Sequence, residues 1–596
     1  MQAIKGSDKL KIENNSFVID GKKINIYSGA IHYFRSMPDR WEDLLLKLKA
    51  AGLNTVETYV AWNLHERKEG EFDFSGRCDV KRFLETARKL GLYVIFRSGP
   101  FICAEWDMGG LPPWLLKDRN MKIRCSYKPY LDYVERYMRR LFDEIRPELS
   151  TNGGNIIAVQ IENEYGHYGS DKEYMAWLRD LYIELGCKDE LLFTSDDKSL
   201  VAIKAGMLEG VYETLNFGSG AKTAFDSLKG IQDDAPKMCM EFWCGWFDYW
   251  GGKHHTRDAK KVMEEIRSFL DMGASFNFYM FHGGTNFGFY SGANSVVKYH
   301  PVTTSYDYNA VLTEAGDYTP LYHALRKEMI SRGLAEEMPL PPAPTYVSLG
   351  EVQLTQYASL FDQLDNAAEK IESKYVESME HFGQNNGYIH YRARVTADRG
   401  KTMIMIGDLH EYADVYVNGV FKKHLYSRKK NLFYRLSGYH GVYLKEVKEG
   451  DIIDIFVDAM GHVNFGAHIT DRKGISDLRI LSVPQSRSFM NIEIYCLDME
   501  DLSKITYDNV PKKCPAFLKG SFKADKKGEC YLDMRGFTKG FVKINGFNIG
   551  RYWNKGPQLA LYIPSSLLKD ENEIIIFEEK AYKQAKVTIT DHPIWK

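Results

Sequence analysis

Two kinds of apolar pattern alternate over roughly the first 330 residues, and that alternation constrains the fold more than any other feature. Eight short apolar runs, at 24–34, 55–62, 92–100, 156–164, 191–196, 214–220, 237–243 and 276–284, have the length and the aromatic or β-branched content of buried strands. Amphipathic stretches fall between several of them. Over 40–52, Trp41, Leu44, Leu45 and Leu48 share one helical face, and Gly52 supplies a stop. Over 80–91, Val80, Phe83, Leu84, Ala87 and Leu90 repeat the spacing, and 132–146 and 172–186 read as further helices. Strands that are apolar throughout must be covered on both faces, which a parallel sheet wrapped by helices provides. Eight such units predict a closed (β/α)8 barrel.

A Pro-rich break, MPLPPAPTYVSLG at 338–350, ends this pattern. Beyond it come short strands with turn signals, the pattern of antiparallel sandwiches. The stretches ADVYVNGVF (413–421) and GFVKINGFN (540–548) each run a strand into an Asn-Gly turn, which predicts two related sandwich modules. The expected class is α/β plus all-β: a TIM barrel over 1–335, a linker over 336–372 packing on the sandwiches, and jelly-roll β-sandwiches over 373–485 and 486–596.

Charge narrows the function. With 78 bases against 80 acids, the chain has no electrostatic footprint for nucleic acid or an anionic membrane surface. No apolar run reaches the length of about 18 residues needed to span a bilayer. Nine scattered cysteines without a CxxC, behind a polar N-terminal segment, predict a reduced, cytoplasmic protein. His254 and His255 lack a third ligand at suitable spacing, so neither a metal nor a cofactor is expected. The runs SRKKN (427–431) and KADKKGE (523–529) read as solvated faces.

The acids at strand ends carry the chemistry. IIAVQI ends abruptly in Glu162, Asn163 and Glu164. Glu241 precedes a Trp-rich loop with Trp243 and Trp246, and Glu105 follows the third strand. In a (β/α)8 barrel these positions open into one mouth, at the C-terminal ends of the strands. Charged groups there are unfavourable to desolvate unless they are paired or put to use. Two carboxyls flanked by aromatic rings are what glycoside hydrolysis requires, one to protonate the leaving oxygen and one to attack the anomeric carbon or activate water.

At these residues the chain resembles the glycoside hydrolase family 35 β-galactosidases, in their compact bacterial form without a signal peptide. The matching pieces are SGAIHYFR (28–35), TYVAWNLHE (58–66), FICAEWDMGGLPPWLL (101–116), VQIENEYG (159–166), EFWCGWFDYWGG (241–252), YMFHGGTNFGF (279–289), TSYDYNA (304–310) and NIGRYWNKGPQLALYIP (548–564). The resemblance implies galactose-binding-like sandwiches, Glu164 as acid/base and Glu241 as nucleophile of a retaining exo-β-galactosidase. It implies substrate contacts at Tyr59, Cys103, Ala104, Glu105, Asn163, Trp243, Trp246, Tyr279, Tyr306 and Tyr308, through the backbone at Cys103 and Ala104. Of these, Tyr279, Tyr306 and Tyr308 are expected near the nucleophile, Trp246 as a wall of the pocket, and the Trp-rich loop 243–250 as a platform on the leaving-group side. Glu162 is expected to tether the loop. A negative Glu241 is expected to keep Glu164 protonated near neutrality. Cys244 departs from the family pattern at a position expected to border the leaving group, and Phe465 is a candidate to reach the mouth from a sandwich. The expected partners are galactose-terminated oligosaccharides or glycoconjugates, with β-1,3 linkage favoured by the resemblance; a homodimer is left open. Two other readings stay open, the same fold trimming another β-linked sugar such as glucosamine, and a sugar-binding protein without catalysis.

Overall fold

Each apolar run of the first half becomes a parallel strand. In the computed structural model, which describes residues 10–427 and 432–596, these are β1 (Tyr27–Ile31), β2 (Thr55–Tyr59), β3 (Tyr93–Arg97), β4 (Ile156–Gln160), β5 (Leu191–Asp197), β6 (Tyr212–Phe217), β7 (Met238–Trp243) and β8 (Ser275–His282). They pair in chain order and close when β8 meets β1. A helix follows each strand: α1 (Trp41–Ala50), α2 (Val80–Lys89), α3 (Lys128–Ile145), α4 (Lys172–Glu184), α5 (Leu200–Gly206), α6 (Ala221–Asp226), α7 (Ala259–Asp271) and α8 (Pro320–Ser331). The helix faces read from the spacing are the buried ones, with Trp41, Leu44, Leu45 and Leu48 on α1 and Val80, Phe83, Leu84 and Ala87 on α2.

One end of the barrel is shut. A three-stranded antiparallel sheet formed by Lys11–Glu13, Ser16–Ile19 and Lys22–Ile24 presents Phe17 and Ile19 to the barrel interior. There they pack with Ile95, Ile157, Phe193 and Met240. This apolar plug leaves the opposite end, where the strands finish, as the mouth. The first nine residues and the basic stretch 428–431 lie outside the described residues. Among the described residues no helix is long and apolar enough to cross a membrane.

The sheets of the second half cut the chain elsewhere than at the expected boundaries. Gly350–Ser359, inside the stretch read as linker, is a ten-residue strand of the C-terminal sandwich. Its first part pairs with Lys586–Thr590 and its later part with Ala516–Lys523, so one strand serves both halves of that sheet. Its alternation of buried and exposed residues hides it from a search for apolar runs. Likewise Lys370–Ser373 pairs with Ile492–Leu497, and the latter pairs with Tyr388–Arg394, so residues up to 497 complete the first sandwich. Sheet order does not follow chain order in such folds.

The internal repeat is structural. Tyr412–Val417 and Val420–Tyr426 form a hairpin over Asn418-Gly419, as Lys539–Ile544 and Phe547–Trp553 do over Asn545-Gly546. All four turn residues have positive φ, the requirement that selects Asn-Gly at a two-residue turn. In both copies the turn asparagine accepts from a backbone N–H of the neighbouring strand, Ile452 at 2.9 Å and Glu573 at 2.9 Å.

The two sandwiches are joined by a buried cation. Lys539 of the second contacts Asp458 of the first, and its Nζ lies 2.9 Å from Glu579. Replacing it by methionine leaves two acids buried with less than their charge compensated. We expect Lys539→Met to destabilise by about 3–5 kcal/mol, read as a fall in thermal midpoint; an unchanged midpoint would show that the cluster is not held by its cation.

Candidate active site

A cavity of about 260 Å³ opens at the mouth. It is lined by Tyr59, Cys103, Ala104, Glu105, Asn163, Glu164, Glu241, Trp243, Trp246, Tyr279 and Tyr308. Of the expected site residues only Tyr306 stands behind the wall. It is fully buried, and its hydroxyl donates to Glu105 Oε2 at 2.5 Å. Ala104 is fixed by Arg35, which donates to its carbonyl.

Glu241 points inward because β7 is bulged. Between Cys239 and Phe242 the strand runs one residue ahead of β8, and it shifts against β6 as well. Strict alternation from Cys239 would turn Glu241 toward the helices. With the extra residue, Met240 packs on the barrel floor, Phe242 packs against Phe269 of α7, and Glu241 faces the cavity. Its Oε1 accepts from Tyr59 at 2.8 Å and from Arg97 at 2.7 Å, and its Oε2 from Trp243 at 3.1 Å. Arg97 Nη2 also donates to Asn163 Oδ1 at 2.7 Å, as the Tyr59 hydroxyl does at 2.9 Å. With its oxygen so engaged, Asn163 is oriented to offer its amide N–H groups to a bound molecule.

Glu164 stands on a strained turn. Its φ of 43° and that of Glu162, 59°, lie in the left-handed region. Such geometry costs about 1–3 kcal/mol per residue and persists only where the surroundings impose it. Glu162 imposes it. Arg124 grips its carboxylate with two N–H groups at 3.0 and 2.8 Å, Tyr174 adds a third donor at 2.9 Å, and the Asn163 N–H a fourth at 2.8 Å. The tether expected of Glu162 is therefore present. Gly166 completes the turn, since a Cβ there would sit 2.0 Å from the Ala202 carbonyl oxygen of α5.

The two acids differ in environment. Burial, then the Glu241 charge, pushes the Glu164 carboxyl up to about 7, against a hydrogen bond from Asn216 at 3.0 Å. Burial also pushes Glu105 up to about 7 and Glu57, at the base of the site, up to about 8. One cavity thus holds a carboxyl that keeps its proton to near neutrality and a carboxylate braced by a guanidinium, a pair able to donate a proton and to attack an electron-poor carbon.

Comparison with known proteins places this arrangement. Residues 16–331 match the glycosyl hydrolases family 35 profile. The chain belongs to glycosyl hydrolase family 35. Residues 377–498 match the first all-beta domain of β-galactosidases and 515–573 their galactose-binding domain. Relatives include human beta-galactosidase-1-like protein 2, 40% identical over 96% of this chain and 89% of that protein. Others are a beta-galactosidase of Xanthomonas manihotis (41%, over 93% and 91%) and one of Bos taurus (38%, over 96% and 90%). The chain is a glycoside hydrolase built on the family's barrel and all-β domains.

The family 35 barrel does not make its mouth alone. Val463–Gly466 leaves the first sandwich and pairs with Ala293–Ser295. This brings Phe465 to the cavity wall, edge-on to His167, and sets Asn464 3.5 Å from the Cys103 sulfur. His462 anchors the segment, with Nδ1 3.1 Å from Asp107 and Nε2 2.7 Å from Glu380. Cys244 departs from expectation. It is buried against the Met280 carbonyl at 3.3 Å, lies outside the cavity lining, and burial pushes its thiol up to about 12, so it borders no leaving group. His254 and His255 both bond one carboxylate, Asp248, at 2.7 and 2.9 Å.

Arg97, Arg35, Asn216 and His167 were not singled out in the sequence. Arg97 had a signal, a lone cation ending an apolar strand, LYVIFR.

The two acids facing His462 raise its imidazole to about 9, against burial. The charged form is favoured in the folded protein, so its contribution is complete below about pH 6.5 and is lost as pH rises through about 9, up to about 3 kcal/mol. We expect the thermal midpoint to fall more steeply over that window in the wild type than in His462→Gln; parallel curves would contradict the buried imidazolium.

Proposed function

We propose that the chain is a retaining exo-β-galactosidase that removes terminal β-linked galactose, with Glu241 as nucleophile and Glu164 as acid/base. The reading rests on one observation above others: Glu164 and Glu241 line the same cavity, the first with its carboxyl pushed up to about 7 by burial and the Glu241 charge, the second held by the Arg97 guanidinium at 2.7 Å. The relatives named β-galactosidase support galactose as the sugar.

The residues divide the work as follows. The Glu241 carboxylate attacks the anomeric carbon while the bond to the leaving oxygen breaks and Glu164 gives that oxygen its proton. A galactosyl ester on Glu241 results. Its negative charge is then gone, which removes one cause of the raised Glu164 value, and Glu164 becomes the base. It takes a proton from water, whose oxygen attacks the anomeric carbon and frees Glu241. Arg97 and Tyr59 hold the attacking oxygen, and the Asn163 amide is placed for a sugar hydroxyl. Trp246, 37% exposed at the edge of the cavity, offers a ring to the leaving unit, and we propose β-1,3 as the preferred linkage.

We expect Glu241→Gln to lower kcat on a 4-nitrophenyl β-galactoside by about 10³-fold or more. Wild-type rates in that variant would overturn the assignment. Glu164→Gln should slow a disaccharide far more than an activated aryl galactoside, because only the former needs the proton; equal slowing of both would contradict the acid role.

The pH profile gives a separate test. Loss of the Glu164 proton should bring kcat/KM on disaccharides down with rising pH through about 7. That alkaline limb should vanish in Glu164→Gln assayed on the aryl substrate, and a limb that survives there would assign it to another group.

A further inference from the structure

A second cavity, of about 660 Å³, adjoins the first and shares Glu164, His167 and Phe465 with it. Its position relative to Glu164 gives it a direction. On the reading above, Glu164 protonates the oxygen between the galactose and its leaving group, so whatever lies beyond Glu164 is on the leaving-group side. A glycan longer than a disaccharide extends from the first cavity on the side of this carboxyl, where the second cavity has Glu164, His167 and Phe465 as a shared wall.

Its walls suit sugar. One comes from the loop after β4, where the Tyr168 ring is 38% exposed and its hydroxyl is pinned to the Ile123 carbonyl at 3.0 Å. The other is the sandwich segment that carries Phe465 and continues through the exposed Ala467. Val296 closes the rim at 70% exposure. Exposed apolar surface gathered in a concavity marks a binding groove, and rings with fixed faces pack on the apolar faces of pyranoses. Polar recognition is available at the junction, where His167 gives Nε2 to Asp197 at 3.1 Å, leaving Nδ1 as the ring nitrogen open to a hydroxyl or carbonyl.

We propose that the second cavity is a binding groove for the leaving-group glycan beyond the first displaced residue, so that the enzyme acts preferentially on galactose-terminated chains of three or more sugars. The groove is more than twice the volume of the galactose-sized cavity, and its outer wall exists only because the first sandwich docks on the barrel. The inference rests on the proposed hydrolase direction, with Glu164 as the acid.

The test compares three substrates on the full chain: 4-nitrophenyl β-galactoside, a β-galactosyl disaccharide, and the trisaccharide that extends the same disaccharide at its reducing end. In the wild type, kcat/KM should rise about fivefold or more from disaccharide to trisaccharide, mainly through KM. Ala467→Trp, which fills the groove from an exposed position, should bring that ratio to about one. Tyr168→Leu, which removes a ring and keeps apolar bulk, should lower it as well and serves if the tryptophan variant does not fold. A ratio of one in the wild type, or a wild-type ratio in a folded groove-filled variant, would overturn the groove. Failure of the wild type to cleave even the aryl galactoside would overturn the functional reading itself, and the groove with it.

Discussion

The mouth of this barrel is organised by one buried guanidinium. Arg97 ends β3 with no solvent exposure, and a cation there is tolerable only if its surroundings answer its charge and its donors. They do so unequally. Glu57 lies 3.7 Å away, Glu241 at 2.7 Å, and Asn163 and Gln160 take further N–H groups, while the Tyr59 ring covers the guanidinium face at 4.1 Å. Burial raises Glu57 to about 8, so the more distant of the two acids is the one whose charged form is disfavoured, and Glu241 is the nearer partner of the cation. The floor of the site therefore directs its positive charge to the carboxylate whose charge is useful.

The rest of the electrostatics follows from that asymmetry. A carboxylate fixed at Glu241 makes a second charge in the same desolvated cavity unfavourable, and Glu164 keeps its proton up to about 7. The backbone contributes too. Glu164 reaches the cavity only from a left-handed turn that Glu162 and Arg124 hold in place, and Glu241 only because β7 carries an extra residue. Gly245 belongs to the same arrangement, since a Cβ there would fall 1.8 Å from the Tyr308 carbonyl oxygen and push the Trp-rich loop off the mouth. Ionisation and backbone strain are set by neighbours outside the reacting pair.

Some of this was legible in the sequence and some was not, for physical reasons. Barrel strands and helices announce themselves because burial on two faces forces continuous apolar runs and a 3.6-residue stripe. The carboxyls were legible because acids at the ends of such runs conflict with burial. Gly350–Ser359 was not, because a half-exposed strand after prolines reads like a linker; the first sandwich's return to Ile492–Leu497 was not, because antiparallel sheets pair strands distant in the chain. The bulge in MCMEFW leaves no compositional trace, and Cys244 misled because its side chain turns inward to backbone carbonyls where its neighbours line the cavity. Arg97 shows the remedy: a lone cation closing an apolar strand is as conspicuous as a lone acid and invites the same question about its partner.

The sandwiches bear on chemistry as well as stability. Phe465 and Asn464 reach the site on a strand borrowed by the barrel's own loop at Ala293–Ser295, and that strand is pinned by a doubly bonded His462 between Asp107 of the barrel and Glu380 of the sandwich. A buried imidazolium between two carboxylates is an unfavourable way to gain mere adhesion, because desolvating three charges offsets much of their attraction. Apolar residues would hold two domains together as well, but they tolerate sliding. Directional, charged hydrogen bonds do not, and an ångström of sliding at Phe465 would change the shape of the space beside Glu164. The placement of the charge cluster three residues from Phe465 fits a requirement for register, which a site built from two domains needs and a barrel closed by its own loops does not.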